Sequence, residues 1–223
     1  MSKTHNIILF MTRSAIFGAI ATILYVVPGL QFKVPFAPSF LEIHLDEIPC
    51  FIAGFAYGPL VGTTTILIKT IIKLPFTSTM CVGEATDLLL SLAFILPAIF
   101  IYKYHRKFKW ALFGLSIGLV SQLLFALILN IYVSVPFYCY LFNLDLSMIQ
   151  EQFPMVTNLD WSYGFYIALP FNLFKDAIVI VATLLIYKLM RKTIEKLANI
   201  YNKKHHKIVE AEVIEKNEQE KKS

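Results

Sequence analysis

The 223-residue chain is 57% hydrophobic and only 16% charged, with a mean hydropathy of +0.64, which places it far outside the soluble globular range. Its net charge of +5 gathers in short segments beside apolar runs, a sign of membrane topology and anionic-lipid contact and not of a nucleic-acid-binding patch. Cys50, Cys81 and Cys139 are odd in number and lack ligand spacing, so neither a disulfide framework nor a zinc site is indicated.

Apolar runs approaching the twenty or so residues that cross hydrocarbon predict six spans, near Ile8–Leu30, Ile48–Tyr57, Leu60–Leu74, Val82–Tyr102, Trp110–Pro136 and Gly164–Leu189. Lys3 and Arg13 before and within the first run resemble a signal peptide. The run is long and lacks a small-residue cleavage site, so it reads as a retained helix. It also carries Ser14, Ala15, Gly18, Ala19 and Ala21, overlapping small-xxx-small pairs that admit a close helix, whether inside the fold or in another subunit. The second and third runs are short and divided by Gly58-Pro59, a helix terminator that predicts a tight helical hairpin.

Lys103, Arg106, Lys107 and Lys109 follow the fourth run, and Arg191, Lys192 and Lys196 follow the sixth. The connection from about Phe137 to Tyr163 has no lysine or arginine and carries Asp145, Glu151 and Asp160. The positive-inside rule then puts both termini in the cytoplasm and this long loop outside. The expected fold is an all-α membrane protein of six transmembrane helices. Residues 1–198 form the membrane domain and 199–223 a charged cytoplasmic tail rich in Lys and Glu.

Four polar clusters interrupt this apolar frame: Glu42 to Glu47 around His44; Lys69 with Lys73, four apart on one helix face; Glu84 with Asp87 opening the fourth span; and Asn130 with Asn172 and Lys175. Lysine at a helix centre costs roughly 2.5–3.5 kcal/mol on insertion scales, and Asn172 and Lys175, three apart, share one helix face. They read as one wall of a pocket. His44, Asp46, Glu47, Glu84 and Asp87 offer metal-ligand chemistry, yet show no ligand motif; capping of the second and fourth helices is the favoured reading. Lys175 could instead serve an internal ion pair with Asp87 or Glu84. Tyr132, Tyr138 and Tyr140 suit an interfacial aromatic belt or a pocket equally. No nucleophile–base pair at matched depth suggests a membrane enzyme. An autonomous ion-coupled carrier stays open as an alternative to a binding subunit.

In order and spacing, several pieces resemble one family: Ala15-x3-Ala19; Asp46-Glu47-Ile48-Pro49; Tyr57-Gly58-Pro59 with Gly62; Lys69; Val82-Gly83-Glu84; Ile95-Leu96-Pro97; Leu129-Asn130 with Pro136 and Tyr138; and Pro170-Phe171-Asn172-x2-Lys175. The chain resembles the substrate-binding membrane subunits (S components) of energy-coupling factor vitamin transporters, most closely the riboflavin-specific branch. The resemblance implies a non-enzymatic transport subunit without a resident cofactor, holding riboflavin as substrate. It implies that Asn130, Asn172 and Lys175 hydrogen-bond the flavin, with Leu41, Gly83 and Glu84 lining the outer pocket. Ala15 and Ala19 would face a transmembrane coupling subunit driven by two ATPase subunits, and the chain has no Walker A pattern of its own. The sequence departs from the branch at His44-Leu45-Asp46-Glu47, Lys69-Thr70, Asp87 and Asp176, where Asp-Phe-Ser-Asp, Lys-Asn, asparagine and glycine are usual. A different small molecule is the alternative ligand.

Overall fold

In the computed structural model, which describes residues 3–38, 41–77, 79–143 and 145–189, the apolar runs become helices. Five are long and apolar enough to cross a membrane: α1 (Lys3–Val26), α3 (Pro59–Phe76), α4 (Val82–Tyr104), α5 (Phe108–Phe142) and α7 (Trp161–Leu189). Helix α2 (Glu47–Tyr57) differs in kind. At 1.5 Å per residue its eleven residues rise about 16 Å, roughly half the hydrocarbon thickness, and Glu47 through Ala56 are all buried. It fills the bundle interior. Gly58 bends the chain at φ 97°, open to glycine at little cost, and Pro59 starts α3. A Cβ on Gly62 would lie 3.1 Å from Gly54 Cα, so the expected helical hairpin closes through two glycines.

Three features were not expected. An antiparallel pair, β1 (Phe32–Lys33) with β2 (Glu42–Ile43), folds the segment between α1 and α2 into a hairpin. A short helix α6 (Leu146–Gln152) lies in the acidic connection. Helix α5 also outruns its predicted end at Pro136. A π-turn at Asn130–Ser134 shifts the hydrogen-bond ladder, and Pro136, which has no N–H to donate, follows directly in the first turn of the continuation Val135–Phe142. A second π-turn, Gly164–Ala168, opens α7.

Glycines also set the spacing of α4 and α5, since a Cβ on Gly114 would approach the Ala98 carbonyl to 2.8 Å. An aromatic core of Phe51, Phe55, Phe94, Tyr102 and Tyr187 closes one end of the bundle, and the Tyr102 and Tyr187 hydroxyls hydrogen-bond at 2.9 Å. Ile7, Met11, Leu60, Leu124 and Leu185 face outward, as lipid-facing positions should. The small residues of α1 divide. Ser14, Gly18 and Ala21 are buried, and Gly18 packs against Ile68 of α3. Ala15 and Ala19 are exposed. The expected charged tail, 199–223, lies outside the described residues.

Candidate ligand-binding site

Tyr25 at the end of α1, the β1–β2 hairpin, and α3, α4, α5 and α7 surround one cavity of about 140 Å³, on the order of ten times what a single water needs. Leu41, Gly83, Glu84, Asn130, Asn172 and Lys175 all line it. The two asparagines are set alike. Asn130 Nδ2 donates to the Ala126 carbonyl and Asn172 Nδ2 to the Ala168 carbonyl, each at 2.8 Å. Each amide is thereby pinned to its own helix next to a π-turn, a local distortion often found at functional sites. Each keeps an oxygen and a second N–H for other partners.

Glu84 accepts hydrogen bonds from Thr77 Oγ1 at 2.7 Å and Thr79 Oγ1 at 3.0 Å, which fixes its carboxylate on the cavity wall. A Cβ on Gly83 would come within 2.9 Å of the Tyr138 hydroxyl, so the glycine leaves that wall clear. Tyr138 is buried and lines the cavity; Tyr132 and Tyr140 are 65% and 81% exposed and match the belt. Phe171 adds an aromatic face, and Tyr25 and Ser134 also line the site. Neither Tyr25 nor Ser134 stood out in sequence, because a tyrosine or serine in an apolar run carries no pattern.

Beneath the cavity lies a chain of buried charges. Lys69 hydrogen-bonds Asp46, and reaches Asp87 Oδ2 at 2.9 Å and Ser91 Oγ at 3.1 Å. Ser91 in turn donates to Glu47 Oε1 at 2.9 Å. Lys175 contacts the same Glu47 oxygen at 3.4 Å and Asp87 Oδ1 at 3.8 Å. The capping expectation holds in part: Glu47 and Glu84 stand in the first turns of α2 and α4, where they complement the helix dipoles, but among the described residues neither helix has a side-chain cap hydrogen bond. Asp46, Glu47 and Asp87 serve lysines instead, because unpaired lysines at this depth would be far costlier than uncapped N–H groups. Among the described residues no three His, Cys, Asp or Glu side chains converge on a metal position. Of the two ion-pair partners suggested for Lys175, Asp87 is present and Glu84 is bound elsewhere; Glu47 is the partner that sequence reading missed.

His44 stacks edge-on against Tyr25, ring centroids 4.9 Å apart, and its Nδ1 is buried without a hydrogen-bond partner among the described residues. Burial holds its pKa below the usual 6.5, against the pull of Asp46 and Asp87. Lys73 also reaches the cavity, its Nζ 5.1 Å from the Tyr25 ring centroid. The arrangement offers amide, hydroxyl and charged groups between aromatic faces, which suits recognition of a planar polar molecule.

Residues 9–187 match the family model for the ECF transporter, substrate-specific component. The riboflavin transporter RibU of Staphylococcus aureus is 26% identical over 178 residues, spanning 80% of this chain and 89% of that protein. The riboflavin transporter FmnP of Bacillus subtilis is 27% identical over 181 residues, spanning 79% and 90%. RibU of Lactococcus lactis is 26% identical over 216 residues, spanning 91% and 100%. A solved S component of a bacterial ECF transporter superposes with a TM-score of 0.65 at 24% identity, over 83% of this chain and 96% of that one. The chain thus belongs to the ECF transporter substrate-specific components, a family of multi-pass membrane proteins.

Proposed function

We propose that this protein captures riboflavin, or a closely related flavin, at the outer face of the bacterial cell membrane for ATP-driven import. The observation that carries the reading is the meeting of Asn130, Asn172 and Lys175 on one cavity wall with Tyr138 and Phe171 beside them. Two amides and an ammonium match the carbonyls, ring nitrogens and N–H of an isoalloxazine edge, and the aromatic rings suit its planar face. Relatives named as riboflavin transporters span most of the chain, which supports the same ligand.

The topology that goes with this function has both termini in the cytoplasm and six membrane segments, with α2 and α3 counted as a hairpin dipping into and out of the bundle. The cavity then opens outward. Energy comes from elsewhere: a transmembrane coupling subunit, approached through Ala15 and Ala19, and two ATPase subunits. Exposure of these two alanines on a helix whose neighbouring small residues are already used inside supports that surface for the coupling subunit.

An absorption scan of the purified protein is the direct test. Flavin retained in the cavity colours the preparation yellow, with a band in the blue. Protein that is colourless and also fails to quench the fluorescence of added riboflavin would move the assignment to another small molecule.

A further inference from the structure

Lys69 and Lys73, about one helical turn apart on α3, meet different surroundings. Lys69 is fully buried in its pairs with Asp46 and Asp87. Lys73 ends the regular part of α3, is half-buried and lines the cavity. Among the described residues no carboxylate lies within ion-pair distance of it. Its Nζ makes one long hydrogen bond, 3.5 Å to the Tyr25 carbonyl, and stands 5.1 Å from the centroid of the Tyr25 ring. These contacts steer the side chain and leave donors over, since an ammonium has three N–H groups. Lys175, the other lysine on the cavity wall, is tied to Glu47 and Asp87. Glu42 and Glu84 share the lining with Lys73. Glu84 receives both threonine hydroxyls on Oε2 and Glu42 meets Lys33 through Oε1 at 3.5 Å, so each carboxyl group has a second oxygen to offer.

We propose that Lys73 is a specificity-determining residue that donates a hydrogen bond to the hydroxyl-bearing side chain of the ligand. The inference rests on the flavin reading. With the ring edge met by Asn130, Asn172 and Lys175, the charged lining left over is Lys73 with Glu42 and Glu84. Riboflavin carries its polyol chain on the central ring, away from the edge that holds the carbonyls and the ring N–H. Each hydroxyl both accepts and donates, so the chain can take an N–H from Lys73 and give an O–H to a carboxyl group beside it. A phosphate suits this lining less, because it accepts from lysine but has little to give to two carboxyl groups.

The full chain in detergent is titrated with riboflavin and with lumiflavin, which has the same ring system and a methyl group in place of the chain. The ratio of the two dissociation constants is the readout. Lys73→Met should weaken riboflavin binding by about three- to tenfold, the range for one hydrogen bond at a half-buried site. Lumiflavin affinity should stay unchanged, which also shows that the variant is folded. A ratio equal to that of the unaltered protein overturns the proposal. So does a larger loss for flavin mononucleotide than for riboflavin, which would make the lysine a phosphate contact. The unaltered protein supplies a second measurement that needs no variant to fold. At saturation, riboflavin should protect Lys73 from reductive methylation more than lumiflavin does, with the exposed Lys109 as reference; equal protection overturns the assignment. If the unaltered protein binds neither flavin, the flavin reading fails and the inference falls with it, whereas riboflavin binding with an unmoved ratio removes Lys73 alone.

Discussion

Lys175 lies on the cavity wall and also touches Glu47 and Asp87, so its removal should be felt by ligand and fold together. Lys69 has no place on the cavity wall but pairs with Asp46 and Asp87 at zero exposure. The contrast separates the two. Lys175→Met should weaken riboflavin binding by about 1.5–3 kcal/mol, on the order of ten- to a hundredfold. Its fold should suffer less, because Glu47 keeps Ser91 and Asp87 keeps Lys69. Lys69→Met strands Asp46 with no cation, and should cost about 3–5 kcal/mol of stability, the range for breaking a buried pair. Equal melting temperatures for the two variants, or unchanged flavin affinity in Lys175→Met, would refute this division. His44 supplies a pH test. Its folded pKa lies below 6.5 through burial, so the unfolded chain takes up the proton first as pH falls. The stability contribution is complete above pH 6.5 and declines as pH drops from there towards the lower folded value. His44→Phe keeps an aromatic ring against Tyr25 and should flatten the melting-temperature profile between about pH 7 and 5. An identical slope in both proteins would exclude His44 as its source.

At the scale of helices, α1 carries small residues on two faces, one packed inside the bundle and one exposed. Gly18 touches Ile68 of α3, and a Cβ there would come within 2.6 Å of it, so Gly18→Leu should lower stability by forcing α1 from α3. Ala15 and Ala19 are exposed, so Ala15→Leu and Ala19→Leu should leave melting temperature and flavin affinity unchanged while abolishing uptake in cells. Normal uptake in both would remove this face as the coupling surface. The long spans were legible because five of them are apolar runs with few charges. The hairpin at Gly58-Pro59 was legible because the two residues end one helix and start another. The all-round burial of α2 was not, since a buried helix is apolar on every side and its periodicity says nothing of depth. The π-turns left no mark either: Asn130–Ser134 reads as ordinary apolar helix until Pro136. In the site, lysines and asparagines stood out because a bilayer makes polar groups conspicuous. Glu47 stood out too, but not as the partner of Lys175, because beside a predicted helix start a carboxylate has a simpler use as a cap.

The whole molecule shows a binder's economy of parts. Its polar side chains converge on one cavity and on the buried charges beneath it, and the described outer surface of the helices is largely apolar. A self-powered carrier needs two alternately open routes to its site, and coupling to an ion needs a group whose loading changes with the transport step. Here Lys69 and Lys175 already neutralise the carboxylates nearest the cavity floor, and on the other side of the core Phe51, Phe55, Phe94, Tyr102 and Tyr187 form a packed aromatic plug. Under the proposed function, release towards the cytoplasm is driven by partner subunits outside the bundle. Reconstituted alone in vesicles, the protein should bind labelled riboflavin stoichiometrically without accumulating it, with or without a proton or sodium gradient. Co-reconstitution with a coupling subunit and its ATPase pair should give uptake that stops when ATP is omitted. Gradient-driven accumulation by the isolated chain would overturn the subunit assignment and make it a carrier in its own right.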